Sequence, residues 1–335
     1  MPAKRPTAVV FIHGLAKKPA PDKLQEIWLW GIGRDNPMPT VFAPPNGGID
    51  LSTRGVPQRF NYYADVFYGT DYETELDSYY EANDEKELEA EGLDQVEPEL
   101  SLPNPETDRE AAFLRDFEAK LSAQAVLSTP VAALGPVSSM PGSDQLEIAS
   151  WLPDRVKQSI IRKAAMEAFY FLFDKEYVRS DGARFMVRRE LRQRLLAELA
   201  ALQALGEKLV IVSHSMGTMV AYDVLRNCPE CPHVDTLITL GSPLGIQEVQ
   251  DELVAGGAVD FPSERLSHWI NVYDPLDPVC GADPVLANDY RSRDDRRVID
   301  VNESNWGRWR HTITHYFAGS QFRRHLGTSL GLAQP

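Results

Sequence analysis

Residues 208–225 read KLVIVSHSMGTMVAYDVL, and two textures meet inside them. Residues 209–212 are an uninterrupted apolar run, as in a strand buried on both faces. From Met216 onward the pattern is helical, with small residues near its start. Between the two stand Ser213-His214-Ser215-Met216-Gly217. A residue held between a buried strand and a helix, with small neighbours, is forced into a tight, strained turn. Such a turn lifts its side chain above the sheet edge and sets it at a helix N-terminus. Ser215 occupies that place.

The same alternation extends along the chain. Residues 7–13 read as a buried strand, followed by a proline-punctuated connection with a short helical piece at 23–30. Residues 60–68, aromatic and β-branched, read as a second strand. Residues 107–127 read as a helix, with Phe113, Phe117 and Leu121 at i, i+4 and i+8. Residues 128–153, rich in Ser, Pro, Gly and Ala, read as a loop. Residues 154–175 are an amphipathic helical pattern with Ile161, Ala165, Ala168 and Leu172 on one face and an aromatic end, Phe169 to Phe173. That helix either packs on the core or forms a lid over an apolar cleft. A further helix carries Leu191, Leu195, Leu199 and Leu202. Strands are then expected at 208–213, 236–240, 268–273 and 297–301, and a last helix from about Thr312. Strands alternating with helices imply an α/β fold: a mostly parallel central sheet with helices on both faces. Sites in such sheets form beyond the carboxyl ends of the strands.

The bulk properties bound the function. A chain of 335 residues builds a sizeable core. It has no uncharged apolar run long enough to span a bilayer. The first apolar run ends in His13-Gly14, unlike a secretory leader, so a cytoplasmic protein without stable membrane insertion is expected. A net charge of −15 disfavours nucleic acid and anionic lipid as general partners. Residues 71–110 hold 16 acidic against two basic side chains, so this stretch alone carries −14. It reads as a solvated insertion, with a protein-docking or cation-binding segment as the alternative. Cys228, Cys231 and Cys280 are too few and too odd in number for a disulfide framework. Cys228-Pro-Glu-Cys231 has half of a zinc pattern but no second pair, so structural thiols are expected, with a metal or a local redox pair as the alternative.

The pattern G-x-S-x-G describes a turn that exposes a nucleophilic serine, and here Ser213 replaces the first glycine while Gly217 keeps the second. Ser215 is therefore the candidate nucleophile, and a serine hydroxyl needs an adjacent base. Oxyanion donors are expected from the backbone N–H of Met216 and from Leu15, where Gly14 lets the chain turn sharply after the first strand. His13 reads as a structural hydrogen-bonding residue, and His214 as structural. Asp274 and Asp277 both follow the strand at 268–273. Asp277, out in the loop, is favoured as the acid, with Asp274 capping the turn. Two histidines compete for the base: His311, just before the expected N-cap Thr312, and His315, one turn into the helix. His311 is favoured.

The segments VVFIHGL, IVSHSMGTMVAYDVL, LITLGSPLG, NVYDPLDPV and HTITHYF, with the order Ser215, Asp277, His311, resemble the α/β-hydrolase fold. More narrowly, they resemble its lipase- and esterase-like serine hydrolases. The resemblance covers residues 7–15 and most of 205–320. It implies a single domain over 1–335 with residues 70–180 as an inserted acidic and helical lid or cap. It also implies a Ser-His-Asp mechanism without cofactor, acting on a small-molecule or lipid ester. In that pattern the Asp-Pro-Val aspartate is the acid, which supports Asp277, and a His-Thr pair followed by Tyr316-Phe317 matches His311. Acyl transfer to an alcohol by the same residues is a second reading. A catalytically silent scaffold that docks a protein partner through the acidic insertion is a third.

Overall fold

The computed structural model describes residues 6–39, 45–74, 81, 103–127, 154–254, 258–292, 294–306 and 310–332. Its strands are β1 (Thr7–Ile12), β2 (Gln58–Asn61), β3 (Glu176–Val178), β4 (Arg184–Met186), β5 (Lys208–His214), β6 (Val234–Leu240), β7 (Leu266–Tyr273) and β8 (Val298–Asn302). Its helices are α1 (Pro21–Gly33), α2 (Asp65–Tyr68), α3 (Asp108–Leu127), α4 (Asp154–Leu172), α5 (Val187–Gln203), α6 (Met216–Asn227), α7 (Gln247–Leu253), α8 (Ile313–Ala318) and α9 (Ser320–Ser329). Six strands form one parallel sheet in the order β2-β1-β5-β6-β7-β8. The remaining two, β3 and β4, form a small antiparallel hairpin.

The central strands β1 and β5 carry unbroken apolar runs because both sheet faces are covered there. Val9 and Phe11 pair in register with Val210 and Val212 and pack towards α1, α8 and α9. Ala8, Val10 and Ile12, with Leu209 and Ile211, pack towards helices α3 to α7. On α1, Leu24, Trp28 and Ile32 recur every fourth residue and are buried, which is the stripe that faces the sheet. The expected stripe on α5 is buried throughout: Leu191, Leu195, Leu199 and Leu202.

The strand order sets a switch point. β1 leads to β2 through α1 on one face, and β2 leads back across β1 to β5 through helices on the other. The connections after β1 and β5 therefore leave in opposite directions. Between them, at the carboxyl ends, lies the switch point where α/β sheets open to ligands.

Three readings change. Residues 60–68 are not one strand: β2 stops at Asn61, and Asp65–Tyr68 is a helical turn closed by Gly69 at φ 65°. Their aromatic richness reflects burial, since Tyr63, Val66 and Phe67 all enter the core, and burial alone does not select a strand. The β3–β4 hairpin and α7 were not expected, being too short for a clear periodic pattern. The C-terminal helix is two helices, parted at Gly319.

Helix α4 packs on the core. Ile161, Ala165, Ala168 and Leu172 are buried as the pattern predicts, and so are Phe169 and Phe171. Its aromatic end therefore offers little open apolar surface. The loop at 128–153 and most of the acidic stretch, 75–80 and 82–102, lie outside the described residues. No described helix is long and apolar enough to cross a membrane.

Candidate active site

Ser215 sits between β5 and α6 with φ 53° and ψ −129°, a backbone region that L residues avoid. Three hydrogen bonds hold it there. Its N–H donates to Leu240 O at 3.0 Å, and its carbonyl accepts from the N–H and the hydroxyl of Thr218 at 3.0 and 2.6 Å. Ser242 bonds the Thr218 hydroxyl at 2.7 Å. Close packing explains the small residues around the turn. A Cβ at Gly217 would lie 2.5 Å from His13 O, so only glycine lets α6 approach β1 this closely. Ser213, in place of the first glycine, is fully buried and donates its hydroxyl to Ile238 O at 3.3 Å.

The expected lift of the side chain is not what forms. Ser215 is 1% exposed, and its Oγ has no hydrogen-bond partner among the described residues. Gly14 packs directly over it: a Cβ there would be 2.7 Å from Ser215 Cβ and 3.4 Å from Oγ. The strained turn is present, and the loop after β1 folds down onto it.

The structure joins Asp277 to His311 and not to His315. His311 Nδ1 lies 2.8 Å from Asp277 Oδ2 and 3.0 Å from Oδ1. Both carboxylate oxygens are saturated with donors. Oδ2 also accepts from the Tyr316 hydroxyl at 2.7 Å, and Oδ1 accepts from Val279 N–H at 2.7 Å. Burial works against ionisation of Asp277, but the neighbouring His311 and these donors outweigh it and hold its carboxyl below the usual range. His311 stands in the loop before Thr312, which N-caps α8 as expected. His315 lies within α8, buried, its ring stacked on Trp306 at 4.2 Å.

Asp274 has the turn-capping role expected of it and one more. Its Oδ1 accepts from Leu276 N–H at 2.8 Å, while Oδ2 accepts from Asn305 N–H at 2.8 Å and pairs with Arg310 at 3.0 Å. It thereby anchors the segment that delivers His311. His214 donates Nε2–H to the His311 carbonyl at 2.9 Å, and its ring lies 4.5 Å from that of His311. Burial, then the nearby His311, lowers its pKa well below 6.5, so it stays neutral. His13 is structural: Nδ1–H donates to Gly14 O at 2.6 Å, and Nε2 accepts from Tyr63 N–H at 3.0 Å. Burial, helped by Lys18, lowers its pKa to about 3.

Sequence reasoning missed Gly241, at the carboxyl end of β6. It stands at φ 55°, and a Cβ there would lie 2.8 Å from Asp277 Oδ2 and 3.0 Å from His311 Nδ1. It follows Leu240, the residue bonded to Ser215 N–H, so it brings the imidazole beside the turn. A glycine closing a strand was the available signal. Gly241→Ala combines backbone strain with a clash against the buried pair and should destabilise by about 1–3 kcal/mol. Urea denaturation measures this. A variant as stable as the parent would contradict the packing described.

The loop after β1 corrects one expectation. Gly14 serves for close approach, and the positive φ falls on Ala16, at 75°. Leu15 lies between them. Met216 opens α6, so its N–H has no intrahelical acceptor. Ala16 N–H donates to Glu167 Oε1 at 3.0 Å, and the Tyr68 hydroxyl donates to the same oxygen at 2.8 Å. Burial pushes the Glu167 carboxyl up from 4.5 to about 7, although Tyr68, Ala16, Lys18 and Lys163 pull it down. A raised carboxyl pKa favours folding in the protonated form. That contribution is complete below 4.5 and is lost as pH rises through about 7. Glu167→Gln removes this dependence. Between about pH 5 and pH 8 its stability relative to the parent should improve by up to about 3 kcal/mol, read from urea midpoints.

Cys228, Cys231 and Cys280 are free and buried, and burial pushes the Cys231 thiol up to about 12. Among the described residues no cluster of three or more His, Cys, Asp or Glu is arranged to hold a metal.

No family model matches the chain, and no curated protein matches it. Among solved structures, it is similar to an uncharacterized protein from Pseudomonas aeruginosa at 8% identity and a TM-score of 0.27. The alignment covers 98% of this chain and 49% of that one, so the chain spans about half its length.

Proposed function

We propose that this chain is a serine hydrolase of the α/β-hydrolase fold that cleaves carboxylic esters through Ser215, His311 and Asp277. The observation that carries the proposal is the backbone of Ser215: a non-glycine residue held in a strained conformation at the strand-to-helix turn, where the sequence pattern calls for a nucleophile. The His311–Asp277 pair at the same sheet edge supports it.

The chemistry needs no cofactor. With Nδ1–H donated to Asp277, the Nε2 lone pair of His311 is the one that takes up a proton. Nε2 takes the Ser215 proton as Oγ attacks the ester carbonyl carbon. The carbonyl oxygen becomes an oxyanion, received by the N–H groups of Met216 and Leu15. The imidazolium, stabilised by Asp277, returns the proton to the departing alcohol as the C–O bond breaks. Water, deprotonated by His311, then attacks the acyl-enzyme, and Ser215 leaves with the proton as the acid is released.

One observation favours a second reading, a catalytically silent member of the same fold: the Ser215 hydroxyl is enclosed and unbonded among the described residues. A fluorophosphonate probe separates the two. A hydrolase labels at Ser215 in folded protein, whereas folded protein that stays unlabelled fits the silent reading.

A further inference from the structure

Residues 16–18, in the loop after β1, are anchored by the segment inserted between β2 and β5. Lys17 pairs with Asp71 at 3.1 Å. Lys18 is buried and pairs with the equally buried Glu81 at 2.8 Å, and its carbonyl accepts from Glu73 N–H at 3.0 Å. Ala16 is tied to Glu167, on α4, itself 1% exposed. Of these acidic residues Glu81 is buried against the loop that covers Ser215, Glu73 meets it through its backbone N–H, and the Asp71 carboxylate stays exposed. Ala16 is not glycine, so its φ of 75° persists only because something holds it. The held residue follows Leu15 directly.

We infer, resting on the reading of Ser215 as nucleophile, that Glu167 is a positioning residue: its carboxyl group fixes Ala16 and through it the Leu15 N–H that receives the oxyanion. The inserted segment thereby sets the geometry of the site from outside the sheet. Glu167 touches no reacting atom. It acts through one backbone hydrogen bond, with Tyr68 sharing the same oxygen and aligning it.

The test compares Glu167→Ala with Glu167→Gln, which keeps an oxygen in place to accept. Two readouts are taken: hydrogen–deuterium exchange of the Ala16 amide, and steady-state turnover of p-nitrophenyl butyrate. In Glu167→Ala, Ala16 should exchange at least about tenfold faster. Its kcat should fall about 10–100-fold, short of the 10²–10³ lost with an oxyanion donor outright, with KM within about twofold. Glu167→Gln should restore both. Glu167→Met, which fills the same space without an acceptor, replaces the alanine variant if that one does not fold. Parental exchange and kcat in the alanine or methionine variant would overturn the inference, as would equal losses in the glutamine variant. Faster exchange with an unchanged kcat would also overturn it while Ser215→Ala remained silent, leaving the hydrolase reading intact. A parent that neither labels nor turns over ester ends the hydrolase reading and takes this inference with it.

Discussion

Ser215→Ala should abolish fluorophosphonate labelling and lower ester turnover by roughly 10⁶-fold, the scale of removing a nucleophile that acts as one unit with its base. The same substitution should leave the fold almost untouched. Ser215 Oγ makes no hydrogen bond among the described residues, so deleting it strands no described donor or acceptor. The strain at φ 53° belongs to the backbone and stays with alanine. Activity and stability are thereby uncoupled at this position. A melting temperature within a degree or two of the parent, with labelling gone, is the expected pair of results. Retained labelling would remove Ser215 from the mechanism. A large loss of stability would show that the hydroxyl holds the turn together.

His311→Ala should lower kcat by about 10⁴-fold or more, and Asp277→Asn by about 10⁴-fold, because the imidazole then loses its fixed tautomer and its counter-charge. His315→Ala should leave kcat near the parental value, since its ring packs on Trp306 within the core of α8, and should act on stability instead. The reverse ranking of the two histidines would refute the assignment. Asp277→Asn also carries a signature in pH. The carboxylate accepts from His311, Tyr316 and Val279, and an amide turns one of these acceptors into a donor. The folded-state pKa of Asp277 lies below 3.8, so its contribution to stability is present above 3.8 and fades as pH falls through the lowered value. The penalty of the asparagine variant should therefore be largest near neutral pH and shrink in acid, measured by urea unfolding at both.

The loop after β1 shows how local patterns and packing divide the information. Gly14 was legible as a necessary glycine, but for the wrong reason: the backbone needs space there, over Ser215, and the positive φ sits two residues later on Ala16. Nothing local marks Ala16, because its conformation is held by Glu167, 151 positions away. Residues 60–68 failed differently. Aromatic and β-branched residues mark burial, and the chain buries Tyr63 and Phe67 from a turn as well as from a strand. The acidic stretch reads as a solvated arm, and Asp71 and Glu106 are indeed exposed, but Glu81 is buried against Lys18, a pairing that no local pattern marks.

From the sequence by itself came the parallel α/β architecture, the strand-to-helix turn at Ser215, and the two acids and two histidines that are candidates for one site with it. Runs of apolar residues and small residues at a turn are short-range consequences of burial and steric limits, so they are written in neighbouring letters. The tertiary structure alone decided the strand order that sets the switch point beside β1, the pairing of His311 with Asp277 across 34 positions, and the enclosure of Ser215 beneath Gly14. Each of these depends on which distant surfaces fit together at close-packed density, and periodicity along the chain carries no record of that fit.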